Sequence, residues 1–371
     1  MKKIITLILV LILSFSIVAC QSDENNSNSN SDAYKAALLI NGNLGDKSFN
    51  DSAYAGLTEL RDDLGANKFE FKAIEMGGAP NDESKYEPTI RDYCESGEYD
   101  LIILATWQME PYVIDFSKEF PNQKFVLYDE AFDFDVNPRD NVYNVLYKQN
   151  EVSFLIGSIA AMMTTDESID NINSDKKIGF LGGMEDSVIQ DFLIGYAEGA
   201  KYIDSDISIS IAYIGSFIDI VAAKDLASLQ YKNGVDIGYN VASMAGLGQI
   251  EAAHDMDLYA FGVDSDQAAL MEDRAKNIPT SAMKNVGKSL FDAIKLDIDG
   301  KLEYGTSAHL GLKEDGVGLA KGENYEKIVP ENIRLKIDEI TDKIISGEII
   351  VDTAIGKSEE EINELLEQIN E

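Results

Sequence analysis

The sequence predicts an α/β protein of two lobes, each built on a parallel sheet covered by helices on both faces. Three observations carry this. Short apolar runs of strand length alternate with longer runs of helical period, the pattern of parallel sheets. These runs fall into two sets, and within each set strand starts recur roughly every 30 residues, about one strand–helix unit. Beyond residue 32 the chain continues for about 340 residues, too many for one ordinary core.

The first strands span 35–41, 69–75, 100–106 and 124–129, and the second set spans 177–181, 207–214, 236–242 and 258–263. After the first strand comes "GDKSFNDSAYAG", residues 45–56. It puts Asp46, Phe49 and Asn50 in a strand-to-helix turn, ahead of a helix with Ala53, Leu57, Leu60 and Leu64 on one face. In parallel α/β sheets, ligands gather at that end of the strands. Helices are expected over 151–163, 187–203 and 220–231. A strand at 280–284 opens a helix through 296. Another helix runs from Pro330, a good first-turn residue, to 345, and Gly347 can end it. A last short strand is expected at 348–352. Ser358-Glu-Glu-Glu361 reads as a capping box. Ile362, Leu365, Leu366 and Ile369 form a narrow apolar stripe after it, to dock on the body or, as the alternative, to bind a partner.

Residues 1–20 read as a secretory signal: Lys2 and Lys3, then an apolar run over 4–18 that is short for a membrane span. The run stops at Ile17-Val18-Ala19-Cys20, which resembles a bacterial lipobox; that resemblance implies cleavage before Cys20 and its acylation. Residues 21–32 carry no apolar side chain and are expected to be a disordered tether. The expectation is a soluble body, lipid-anchored outside the cytoplasmic membrane. Of the two cysteines, Cys94 is then left without a partner, so no intramolecular disulfide forms and Cys94 packs.

A net charge of −35 repels phosphate and argues against a nucleic-acid partner. The two histidines, His254 and His309, stand in separate contexts, and no Cys/His spacing suggests zinc. There is no P-loop sequence and no nucleophile elbow. Gly246-Leu-Gly248 lacks the third glycine of a dinucleotide fingerprint. Without a nucleophile–base set, a binding protein without a cofactor is favoured over an enzyme.

Polar residues stand at several strand ends: Asp129 in "KFVLYDE", Asp264 in "FGVDSDQ" and Lys284 in "TSAMK". With Asp46 they come from four strands or the turns after them. An ionised carboxylate can accept both hydroxyls of a vicinal diol, such as that of ribose, through charge-assisted hydrogen bonds. A lysine beside it offsets its charge. Phe49 and Phe192 are candidates to sandwich a planar base. Each also has a plainer reading: aspartate at a strand end commonly caps or turns the chain, Phe192 can be core, and Lys284 can be solvated. From these residues alone the reading is a two-lobed binding protein for a small polar ligand.

Six segments, "GDKSFNDSAYAGL", "NVYNVLYKQNEVSFLIGSIAAMM", "KIGFLGGMEDSVIQDFLIGYAEGAK", "YIGSFID", "FGVDSDQ" and "TSAMKNV", resemble in order the basic membrane protein family of bacterial lipoproteins, the purine nucleoside receptor A-like substrate-binding proteins of ABC importers. The resemblance covers about residues 33–352. It implies a type I periplasmic-binding-protein fold, two doubly wound lobes joined by a hinge, with lobe boundaries near 33–148 plus 264–296 and 149–263 plus 297–353; the helix at 358–371 lies outside it. It also implies an ABC permease partner and a purine nucleoside as ligand. Phe49 and Phe192 match the stacking pair, Asp46 and Asn50 residues near the base, and Asp129, Asp264 and Lys284 the ribose-binding set. The chain departs from the family at Trp107, where a phenylalanine is common, at Met244 in a turn that is usually glycine-rich, and at Ser187, near which a proline is expected. Trp107 then stands at the cleft edge, as a ring that replaces or supplements the stacking pair or as a packing residue. The alternatives are a flavin, sugar or signal molecule in the same fold, a ligand-sensing signalling lipoprotein, and a nucleoside-cleaving enzyme.

Overall fold

The computed structural model describes residues 33–370. The signal, Cys20 and the tether lie outside the described residues. The first elements are β1 (Tyr34–Ile40), α1 (Phe49–Leu64), β2 (Phe69–Glu75), α2 (Tyr86–Ser96), β3 (Leu101–Ala105), α3 (Glu110–Glu119), β4 (Lys124–Tyr128) and β5 (Val142–Tyr147). Then follow α4 (Gln149–Thr164), β6 (Lys177–Gly182), α5 (Ser187–Ile203), β7 (Ser208–Tyr213), α6 (Ile220–Lys232), β8 (Ile237–Val241), α7 (Leu247–Met256), β9 (Tyr259–Asp264), the single turn α8 (Gln267–Leu270) and β10 (Ser281–Lys284). The rest is α9 (Val286–Ile298), β11 (Thr306–Leu310), β12 (Val317–Leu319), α10 (Glu323–Ile328), α11 (Glu331–Ser346) and α12 (Glu359–Asn370).

The strands form two six-stranded sheets, ordered β11-β5-β4-β3-β1-β2 and β12-β10-β9-β8-β6-β7. All described pairings are parallel except β12 with β10. Both faces of the first sheet are buried. Ala36, Leu38 and Ile40 of β1 enter one apolar cluster, and the alternate residues Ala37 and Leu39 enter another. This is why its strands read as continuous apolar runs. The second sheet divides likewise, with Phe180 in one cluster and Leu181 in another.

The chain passes between the lobes after β5, after β10 and after β11. At the second passage α9 returns to pack on α1. A Cβ at Gly56 would lie 2.1 Å from the Gly287 carbonyl oxygen, so only paired glycines allow this crossing. In the second lobe α4 lies against α5, where a Cβ at Gly195 would meet the Asn150 carbonyl oxygen at 2.1 Å.

Three expectations need correction. The strand at 281–284, assigned above to the first lobe, belongs to the second sheet, whereas the strand at 306–310, assigned to the second, belongs to the first. Those boundaries missed that the chain alternates between the sheets over residues 281–319, a feature set by strand pairing and not by local composition. The segment 348–352 is not a strand. Side chains satisfy its backbone instead: Asn150 donates to Val351 O and Asp352 O, and the Asp352 N–H donates to Glu198. β5 has no counterpart in the strands read from sequence, because Asn144 interrupts its apolar run. Asn144 is fully buried and donates to Leu127 O and Glu130 O, which makes a polar residue tolerable there.

α12 begins with the capping box: Ser358 N–H donates to Glu361, and Glu361 N–H donates to Ser358 Oγ. Its stripe packs on Ile194 of α5 and on Ala354.

Candidate functional site: a cleft between the strand ends

Four strands end in residues with left-handed backbone: Thr106 after β3 (φ 71°), Asp129 after β4 (φ 62°), Ser243 after β8 (φ 48°) and Asp264 closing β9 (φ 60°). None is glycine, so each conformation costs about 1–3 kcal/mol and persists because its surroundings impose it. All four line one cavity of about 890 Å³ between the lobes. Such concentration of backbone strain marks a site.

The floor of the cavity is a buried charged cluster. Lys284 Nζ donates to Asp129 Oδ1 at 2.5 Å, with both side chains almost fully buried. Asp264 accepts from Ser48 Oγ at 2.5 Å. Burial pushes the Asp264 carboxyl up to about 6, against the pull of Lys284 and Ser48. Burial likewise raises Asp129, with Lys284 opposing and Asp186 adding to the rise. A pair of hydroxyl donors bonded to these carboxylates would favour their ionised forms.

Two rings flank this cluster from opposite lobes. The Lys284 ammonium lies 5.5 Å from the centroid of Phe49, the first residue of α1, and 4.9 Å from that of Phe192 on α5. Tyr147 forms a third face at 5.5 Å. Phe49 is itself stacked on Tyr128 at 5.3 Å, which holds the ring at the cleft. Phe192 is 2 % exposed yet borders the cavity, so it is both core and wall. Trp107 stands at the mouth, 40 % exposed, and lines the cavity together with Asp186 of the other lobe.

Asn50 borders the cavity, but Asp46 does not. Asp46 is fully buried and accepts from the backbone N–H groups of Ser48, Asn50 and Asp51 and from Ser243 Oγ. Its carboxylate is used up on the first turn of α1. It therefore supports Phe49 from below, ties the lobes together and stands behind the cavity lining rather than in it. Phe49, Asn50, Trp107, Asp129, Phe192, Asp264 and Lys284 are brought together as one lining.

The sequence reading missed Asp186, the N-cap of α5, which accepts from Val188 and Ile189 N–H and also lines the cavity. Its place just before a predicted helix was the available signal. It also missed the first-lobe amides: Asn41 donates to Thr106 Oγ1 at 2.9 Å and to Gln108 Oε1 at 2.8 Å. All three side chains border the cavity. Among the described residues no cluster of histidine, cysteine and acidic side chains is placed to hold a metal.

Known proteins agree with this architecture. A sequence model described as ABC transporter substrate-binding protein PnrA-like matches residues 33–354. The chain is 35 % identical over 321 residues to basic membrane protein A2 of Borrelia garinii subsp. bavariensis, covering 85 % of this chain and 88 % of that one. It is 34 % identical to basic membrane protein A of Borreliella burgdorferi, covering 85 % and 87 %. A solute-binding protein of an ABC transporter system from Aeropyrum pernix superposes with a TM-score of 0.79 at 26 % identity, covering 91 % of this chain and 97 % of that one. Family and fold are those of solute-binding proteins, not enzymes. Such proteins work outside the cytoplasm, bind small molecules and hand them to a permease. With its two sheets, its three crossings and its strand-end cleft, this chain belongs to the PnrA-like family of ABC transporter substrate-binding proteins.

Proposed function

We propose that this protein captures a purine nucleoside in the interlobe cleft for import, while held at the membrane by a lipid on Cys20. The observation that carries the nucleoside reading is the pairing of Asp129, Asp264 and Lys284 with two rings from opposite lobes. Carboxylates accept the ribose hydroxyls, Lys284 balances them, and the base lies between Phe49 and Phe192. Stacking would contribute about 0.5–1.5 kcal/mol per ring beyond burial. Water excluded by lobe closure strengthens the hydrogen bonds.

The charge of the lining favours a nucleoside over a nucleotide. Glu83, Asp129, Asp186, Asp219 and Asp264 face Lys284 as the single cation of the lining, and that ammonium is already paired. A phosphate would enter this field against repulsion.

A thermal-shift screen tests the reading with inosine, guanosine, adenosine, cytidine, uridine, riboflavin, ribose and free bases. A ligand that binds only the folded state raises Tm, by about 2.7 kcal/mol of stabilisation at a hundredfold excess over Kd. Shifts with purine nucleosides but not with free bases or ribose support it. No shift with any nucleoside refutes it. Mass spectrometry of the mature protein checks the lipid: an unmodified Cys20 would remove the anchor.

A further inference from the structure

The charged floor and the ring clamp occupy only one end of the cleft. Lys284 ends β10, while the loop after β7 forms the other end, and the sheet order places four strand steps between them. At about 4.8 Å per step the cleft floor extends roughly 19 Å. The lobes already meet along it. Ser48 bonds Asp264, Ser243 bonds Asp46, and on the β7 side Gly78 packs against Ile218, where an added Cβ would lie 3.2 Å from Ile218 Cγ2. The volume of about 890 Å³ therefore belongs to lobes that already touch at these three points. It exceeds what one unsubstituted nucleoside fills.

The surplus space has its own chemistry. The loop after β7 brings Phe217 and Ile218 to the cavity, the first turn of α6 brings Ile220 and Val221, and Met244 joins them from the loop after β8. Val221 is 72 % exposed, at the start of α6, so its apolar surface has no protein cover. Apolar surface inside a binding cleft gains from contact with an apolar ligand group in proportion to the area covered. With the ribose on the charged floor at β10 and the loop after β7 four strand steps away in the sheet, a group that reaches that loop projects from the base and not from the ribose.

We propose that the preferred ligand is a purine nucleoside carrying an apolar substituent on its base, seated against Phe217, Ile218, Ile220, Val221 and Met244. This rests on the nucleoside reading above and specifies its substrate class.

Calorimetry on the full chain tests it with adenosine, N6-isopentenyladenosine, N6-benzyladenosine, inosine and guanosine. At least one N6-substituted nucleoside is expected to bind about tenfold or more tighter than adenosine, the gain from covering a few methylene groups. Ile218→Asn and Val221→Ser should each reduce that ratio; Val221 is exposed, so its replacement leaves the fold intact. Binding of any unsubstituted purine nucleoside, with both substituted ones equal to or weaker than adenosine, overturns the proposal and leaves the nucleoside reading standing. A preference unchanged in both variants overturns the assignment to the arc. No binding by any of the five compounds overturns the nucleoside reading and this proposal with it.

Discussion

Lys284 of the second sheet and Asp129 of the first form a buried ion pair at 2.5 Å, so the floor of the cleft is also a joint between the lobes. Removing one partner of such a pair strands the other charge in a dry site. Lys284→Met should destabilise the fold by about 3–5 kcal/mol. Adding Asp129→Asn should restore most of it, because the stranded charge is gone. Denaturant melts of the single and double variants measure both.

Asp264→Asn should keep the fold and lose ligand. The side chain accepts from Ser48 Oγ, and an amide oxygen can still do so. A charge-assisted hydrogen bond to the ligand is worth about 1.5–3 kcal/mol, so affinity should fall roughly 10- to 100-fold. Calorimetry with an unmodified nucleoside decides it, and unchanged affinity would take Asp264 out of the site.

Stability should rise as pH falls from 8 towards 5. Burial raises Asp191, Asp236 and Asp264 to about 6 and Glu130 and Glu198 to about 7. Unfolded carboxyls titrate near 4, so between about 4 and 7 the folded state binds more protons than the unfolded state, and acidification favours it. Exposed pairs act oppositely and lower down: Lys336 and Lys343 hold Glu339 at about 2, and that contribution disappears only once pH falls below about 4. Tm against pH should therefore peak near 4–5. The ligand-induced part of Tm should move the other way, shrinking as pH drops through about 6 and Asp264 takes a proton. A flat profile over 8 to 5 would contradict both signs.

Gly56→Ala should loosen α1 from α9. The new methyl would meet backbone, not a side chain that can swing aside. Overpacking of this kind costs about 1–3 kcal/mol. Because α1 begins at Phe49, nucleoside affinity should fall with stability, which a paired melt and titration would reveal.

Ending the chain after Lys357 removes α12. Ile362 is 7 % exposed and packs on Ile194 and Ala354. The loss should be about 1.5–3 kcal/mol from that side chain alone, with affinity retained, since no residue of α12 borders the cleft. A collapse of binding would instead give the helix a share in holding α5.

The sequence by itself determined the class and most of the elements, though not β5 or the irregular segment at 348–352. Periods of 2 and 3.6 are local, and apolar runs without alternation already state that a strand is covered on both faces. The strand ends were legible too, which is why Asp129, Asp264 and Lys284 stand out in the sequence alone. Tertiary structure decided the rest. Whether 281–284 joins one sheet or the other depends on which neighbour its backbone pairs with, a contact remote in sequence. Asp46 and Asp264 are the same residue type at the same kind of position; one is consumed by helix N–H groups and the other is left facing the cleft, and only packing distinguishes them. The apolar arc at Ile218 and Val221 looks in sequence like the start of any buried helix. Only the position of the opposite lobe leaves it open to a ligand.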